Sequence, residues 1–155
     1  SKYYFDGRLL TLDPEGAYMV AKAFLAILEA YSVDAIAGPT IGADPIVSAV
    51  SVLSYMEGTP MSGLIVRKEP KAHGGGKTIE GPIKPGQRVA IVDDTCTTGK
   101  SLFQAMQAVQ DEGCEIPIVL SILDRRAGGS DEVRLRGYEF KSLLVADKVG
   151  NVNLS

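Results

Sequence analysis

Val89-Ala90-Ile91-Val92-Asp93-Asp94-Thr95-Cys96-Thr97-Thr98-Gly99-Lys100-Ser101 decides how this chain is read. Val89 to Val92 are apolar without a break, the pattern of a strand buried on both faces in a parallel sheet. Two carboxylates, Asp93 and Asp94, follow where that strand is expected to end. A hydroxyl-rich turn of Thr95, Thr97, Thr98, Gly99 and Ser101 then opens an amphipathic helix running to about residue 112. Open α/β sheets bind ligands at the carboxyl ends of their strands, and helix N-termini attract anions through free N–H groups and the dipole. Such a turn can hold a phosphate. The paired acids can accept hydrogen bonds from sugar hydroxyls or reach a hydrated cation. The stretch asks for a phosphorylated sugar.

Gly99-Lys100-Ser101 also ends the pattern G-x-x-x-x-G-K-[ST] of nucleotide triphosphate loops. That pattern needs glycine at position 94. Asp94 would instead aim negative charge at the polyphosphate, which argues against an ATPase or a kinase. Helix capping explains one acid, but not two in succession followed by four hydroxyl side chains.

Composition limits the rest. A chain of 155 residues fits a single domain, 1–155, and can bury a real core. Its 45% hydrophobic and 23% charged content is ordinary for a globular protein. A net charge of −3 gives no overall attraction to nucleic acid, so no nucleic-acid partner is expected. No apolar run reaches the roughly 18 residues that span a bilayer, and no signal segment opens the chain. Cys96 and Cys114 match no metal or redox spacing, so a cytoplasmic protein with reduced thiols is the simplest reading. Ser1 to Asp6 reads like the inside of an element, so the N-terminal segment is expected to be incomplete.

Along the chain, Asp13-Pro14 predicts a helix start, with apolar residues at helical spacing up to Tyr31. Val33 to Ala37 reads as a strand broken by Gly38-Pro39-Thr40, and Asp44 to Met56 as a second helix. Further strands are expected at Met61–Val66, Ile116–Leu123 and, last, Phe140–Ala146. Strands alternating with helices predict an α/β fold with a mostly parallel central sheet covered by helices on both faces.

Between Val66 and Val89 lies Arg67-Lys68-Glu69-Pro70-Lys71-Ala72-His73-Gly74-Gly75-Gly76-Lys77-Thr78-Ile79-Glu80-Gly81. Its glycines and proline predict a mobile loop rather than a helix. Arg67, Lys68, Lys71, His73 and Lys77 gather positive charge there in a chain that is acidic overall. Such a loop can close over a polyanion and stabilise a departing negative group.

Taken together, these segments resemble the type I phosphoribosyltransferase family, and within it the orotate-using branch. Residues 89–101 resemble the family's phosphoribosyl pyrophosphate motif. Residues 67–74 resemble the flexible loop of the orotate branch. Tyr3-Tyr4-Phe5-Asp6 and Leu123-Asp124-Arg125-Arg126 resemble its orotate-contacting segments. The similarity spans nearly the whole chain and implies the type I fold with a flexible basic loop and a small N-terminal hood.

The resemblance also implies roles. Asp93 and Asp94 would hold the ribose, and Thr95, Cys96, Thr97, Thr98, Gly99, Lys100 and Ser101 the 5′-phosphate. Arg67, Lys68, Lys71 and His73 would bind the pyrophosphate end, with Lys71 acting as it leaves. Thr97 and Arg125 would contact orotate, walled by Tyr4 and Phe5. Arg125 suits the carboxylate that separates orotate from uracil, because a planar guanidinium pairs well with carboxylates. Mg²⁺ would bind mainly through the donor's phosphates, with no dedicated protein cage. The partner implied is a second copy, a homodimer whose 67–81 loop completes the neighbouring site. Two other readings are a transferase for another nucleobase and a non-catalytic regulator that keeps the donor site. One departure stands out: where many orotate enzymes carry an aromatic-lysine pair after the first strand, this chain has Ile41-Gly42.

Overall fold

The computed structural model describes residues 5–69, 77–147 and 149–155. The elements follow one another as α1 (Arg8–Thr11), α2 (Pro14–Leu28), β1 (Ala35–Pro39), α3 (Asp44–Met56), β2 (Ser62–Val66), β3 (Ile79–Glu80), β4 (Val89–Cys96), α4 (Lys100–Asp111), β5 (Val119–Asp124), α5 (Gly129–Leu135), β6 (Phe140–Ala146) and β7 (Val152–Leu154). The strands form one seven-stranded sheet in the order β3-β2-β1-β4-β5-β6-β7. The five central strands run parallel, and the short edge strands β3 and β7 pair antiparallel. The expected mostly parallel α/β architecture is the one found.

Alternation along each strand builds two cores. Ile36, Ala90, Val92, Leu120 and Ile122 face Phe24 and Leu28 of α2 and Ile46 and Val50 of α3. Ala35, Ala37, Leu64, Val89, Ile91 and Val119 face Leu102 and Met106 of α4 and Val133 of α5. Both faces of the central strands are therefore apolar, which is why their sequences read as continuous runs. Helix α2 starts as the sequence predicts: the Gly16 N–H donates to Asp13 Oδ2 at 2.9 Å, and Pro14 occupies the first turn. No described helix is long and apolar enough to cross a membrane.

Several boundaries differ from expectation. β4 does not stop at Val92 but continues through Cys96, because Asp93, Thr95 and Cys96 pair with Ser121, Leu123 and Asp124 of β5. The paired acids therefore belong to a strand rather than to a loop. Ile79 and Glu80, placed within the mobile loop by their glycine-rich surroundings, form β3 against Ile65 and Val66, and Ile79 is buried. Phe140–Ala146 is not the last strand, since Val152–Leu154 pairs back on it. Helices α1 and α5 are too short to leave a periodic signal.

The topology locates the site. From β1 the chain builds outward to β2 and β3, and from β4 to β5, β6 and β7. The crevice between the carboxyl ends of β1 and β4 is the switch point at which open α/β sheets bind ligands. The turn from β1 into α3 lies tight against β4: a Cβ on Gly38 would lie 2.3 Å from Ala43 Cβ and 2.4 Å from the Val92 carbonyl oxygen. Gly38→Ala is therefore expected to cost about 1–3 kcal/mol through overpacking, read as a lower midpoint in urea unfolding. An unchanged midpoint would contradict that packing.

Candidate active site

Asp93 and Asp94 are neighbours with opposite surroundings. Asp93 is only 5% exposed. Its Oδ1 accepts the Asp94 N–H at 2.9 Å and its Oδ2 accepts the Ser101 hydroxyl at 2.8 Å. It thus bolts the end of β4 to the first turn of α4. Burial pushes its pKa up to about 7; hydrogen bonds from the Ser101 hydroxyl and the Asp94 backbone N–H oppose the rise, and the Asp94 side chain adds to it. Asp94 faces a cleft of about 230 Å³ between the ends of β1 and β4. Two glycines hold its side chain closely: a Cβ on Gly7 would lie 2.8 Å from Asp94 Cβ, and one on Gly42 2.9 Å from Asp94 Cγ.

The turn beyond β4 lines an adjoining cleft of about 400 Å³, formed by Thr95, Thr97, Thr98, Gly99, Lys100 and Ser101 with Lys68 and Gln104. Gly99 has φ +78°, a left-handed conformation that glycine adopts without strain, and α4 begins directly after it. Among the described residues, the Thr95 hydroxyl is buried without a hydrogen-bond partner. An orphaned buried hydroxyl is costly and fits a site that a polar ligand completes. Gly129 of α5 braces the turn from behind, donating its N–H to the Thr97 carbonyl at 3.0 Å. A Cβ there would come within 2.6 Å of the Gly99 nitrogen.

Cys96 is placed differently from its neighbours. Its thiol is buried in the α4-side core, and burial pushes its pKa up to about 12. Its backbone still serves the site, because its carbonyl accepts the Arg125 N–H at 2.9 Å. Arg125 is half-buried beyond the end of β5, and Arg126 is exposed. Buried Asp124 holds this turn by accepting the Arg126 N–H at 2.8 Å. Arg125 lines neither of the two clefts described here.

Of the remaining sequence-predicted residues, Phe5 and Lys68 line the first cleft, and Lys68 lines both. Arg67 sits at the base of the basic loop, where its N–H donates to the Thr78 carbonyl at 2.8 Å and its guanidinium pairs with Glu80 at 3.2 Å. Tyr4, Lys71 and His73 lie outside the described residues. Asp6, placed from sequence only within an orotate-contacting segment, and Arg8, which the sequence reading missed, also line the first cleft. Their bidentate ion pair has Arg8 Nε 2.7 Å from Asp6 Oδ1 and Nη2 3.0 Å from Oδ2. An opposite-charge pair two residues apart was the signal available. Among the described residues, no cluster of three or more acidic, His or Cys side chains forms a metal cage. Asp94 beside the buried Asp93 suits a hydrated cation held mainly by ligand phosphates.

Comparison with known proteins gives the family of this chain. The phosphoribosyl transferase domain family matches residues 12–148. An orotate phosphoribosyltransferase from Aquifex aeolicus is 41% identical, over 92% of this chain and 78% of its own length. The crystal structure of Mycobacterium tuberculosis orotate phosphoribosyltransferase with Fe(III) dicitrate superposes with a TM-score of 0.84 at 34% identity, covering 94% of this chain and 81% of that one. The same mycobacterial enzyme in complex with 5-phospho-α-D-ribosyl 1-diphosphate superposes with a TM-score of 0.79 at 32% identity, covering 92% and 81%.

Asp93 sets a pH dependence of stability. Its folded pKa is raised from 3.8 to about 7, so its contribution is most favourable below 3.8 and is lost as pH rises toward 7. Asp93→Asn removes the charge that burial penalises. The variant should be more stable than the parent at pH 8, by about 1 kcal/mol or more, a rise in Tm of roughly 2–4 °C. The gap should close toward pH 4. Thermal unfolding at the two pH values checks this, and a variant no more stable at pH 8 would refute the burial argument.

Proposed function

This chain belongs to the phosphoribosyl transferase family, in its orotate phosphoribosyltransferase branch, and from that premise we propose how its residues divide the work. The reaction transfers the phosphoribosyl group of 5-phosphoribosyl 1-pyrophosphate to orotate, giving orotidine 5′-phosphate and pyrophosphate on the route to UMP. The observation that carries the assignment of roles is the pair of adjoining clefts at the switch point. One presents an acid, and the other a hydroxyl-lined turn at a helix N-terminus.

Asp94 accepts hydrogen bonds from the ribose hydroxyls, and Asp93 behind it keeps the strand end and the helix start in register. Residues 95–101 receive the 5′-phosphate on backbone N–H groups, with the orphaned Thr95 hydroxyl and Lys100 beside them. Arg125 pairs with the orotate carboxylate, which a planar guanidinium matches. Phe5, and Tyr4 by motif position, wall the base.

A ring nitrogen of orotate displaces pyrophosphate at the anomeric carbon, through a transition state in which positive charge grows on the sugar. No protein nucleophile is needed. The work of the site is to position the two reactants and to stabilise the departing diphosphate. Lys68 supplies positive charge there, joined by Lys71 and His73 by motif position. Mg²⁺ bound to the donor's phosphates would neutralise part of the leaving group's charge.

The basic loop at 67–81 completes the site of a second copy in a homodimer. Exposed Tyr18, Met19, Val52, Tyr55 and Met56 on α2 and α3 offer apolar surface for such pairing. Cys96 and Cys114 are buried free thiols, which supports a reducing compartment, the cytoplasm.

Formation of orotidine 5′-phosphate by the purified chain is the first measurement. Asp94→Asn should lower donor affinity or turnover at least about tenfold, or 1.4 kcal/mol. Arg125→Ala should weaken orotate by roughly 1.5–3 kcal/mol and leave the donor nearly unchanged. Equal weakening of both substrates would mean that Arg125 is structural. The dimer is tested by mixing Lys71→Ala protein with protein carrying both Asp93→Asn and Asp94→Asn. Heterodimers should then hold one intact site, and activity should exceed that of either parent. Demonstrated subunit exchange without recovery would place the loop within its own subunit.

A further inference from the structure

Helix α5 touches the turn after β4 at one end and reaches it indirectly at the other. At its start, the Gly129 N–H donates to the Thr97 carbonyl at 3.0 Å. Beyond its last residue, Arg136 extends to α4, where its guanidinium carbon lies 4.0 Å from the centroid of the Phe103 ring. Phe103 in turn is packed on the turn itself. A Cβ on Gly99 would lie 2.8 Å from Phe103 Cε2, 3.3 Å from its Cζ and 3.3 Å from Gly129 Cα.

Gly99 needs such support. It is the N-cap of α4 in a left-handed conformation, and glycine has more backbone freedom to lose than any other residue. The N–H groups that the helix offers to an anion follow directly after it, so its conformation sets their direction. Phe103, one turn into the helix, fixes it in two ways. Its N–H donates to the Gly99 carbonyl at 2.9 Å, and its ring covers the face of Gly99 that a side chain would otherwise fill. The ring is half-buried against the α4-side core. Arg136 stacks on it as a cation over an aromatic face, and Glu132 anchors that guanidinium through Nε at 2.8 Å.

We propose that Phe103 is a positioning residue for the 5′-phosphate of the donor, holding Gly99 and the first N–H groups of α4 in the receiving geometry, and that Arg136 keeps the Phe103 ring in place. The inference rests on the phosphate assignment made above and adds to it the two side chains that hold the turn in shape from outside the cleft.

Calorimetric titration with two probes tests this: ribose 5-phosphate, whose phosphate needs the turn, and magnesium pyrophosphate, which does not. Phe103→Ala should weaken ribose 5-phosphate about tenfold and leave pyrophosphate within about twofold, because small misplacements of binding groups are costly. Phe103→Leu, which still covers Gly99, should recover most of the loss. The donor KM should rise in Phe103→Ala by a similar factor, with kcat and the orotate KM within about twofold. Arg136→Gln gives the same comparison at a half-exposed side chain, so it does not depend on a core variant folding. It should weaken ribose 5-phosphate about two- to fivefold, and Arg136→Lys should restore it. Unchanged ribose 5-phosphate affinity in either folded variant, or equal loss of both probes, would overturn the proposal. A parent chain that bound pyrophosphate but not ribose 5-phosphate would overturn the phosphate assignment, and the proposal with it.

Discussion

The buried carboxylate of Asp93 is the constraint around which the site is assembled. It is the last inward-facing acid of β4, and both of its oxygens are engaged, one by the Asp94 amide and one by the Ser101 hydroxyl. These bonds span the turn and tie a strand end to a helix start. The turn between them is thereby presented as a rim of backbone N–H groups at the head of α4. Burying a carboxylate this deeply is unfavourable, and its raised pKa records that cost. Such a group persists where it organises something that a neutral side chain would hold less well. A site that works by positioning and electrostatics needs that rigidity.

Close backbone approach is the second theme. Gly7 and Gly42 flank the Asp94 side chain, Gly38 packs the β1 exit onto Val92, and Gly129 seats α5 against the turn after β4. At each of these points a Cβ would lie within 3 Å of its neighbour. Glycine here brings separate loops into one rim. The Gly129 contact joins the turn after β4 to the segment after β5, so the surfaces assigned to phosphate and to base share a wall. A shift in either loop would be felt in the other, because packed interiors transmit displacement.

Charge is arranged with comparable economy. The acids are central and partly buried, whereas the cations approach from the periphery: Arg8 from the N-terminal segment and Lys68 from the base of the basic loop. Arg67, read from sequence as a ligand of the diphosphate, here pairs with Glu80 and fixes the hairpin from which that loop springs. Exposed ion pairs contribute little to stability, so the Arg67–Glu80 contact matters more for where the loop starts than for how firmly the protein folds.

Much of this was legible in the linear sequence. The apolar runs at Val89–Val92 and Ile116–Leu123, the Asp13-Pro14 helix start and the acidic strand-turn-helix all depend on residues within a few positions of one another. Their signals are local, and so they determined the α/β class, the parallel sheet and the acidic strand-turn-helix. What the sequence left open was set by residues far apart. β3 and β7 are strands only because β2 and β6 offer them an edge, and β4 extends past its acids because β5 pairs with it. The cleft wall made by Asp6, Gly7 and Arg8 exists only where the N-terminal segment meets Gly42 and Asp94 across the sheet end. Local periodicity reports which face of an element is apolar. Only tertiary packing decides which two faces meet, and a binding site is made of such meetings.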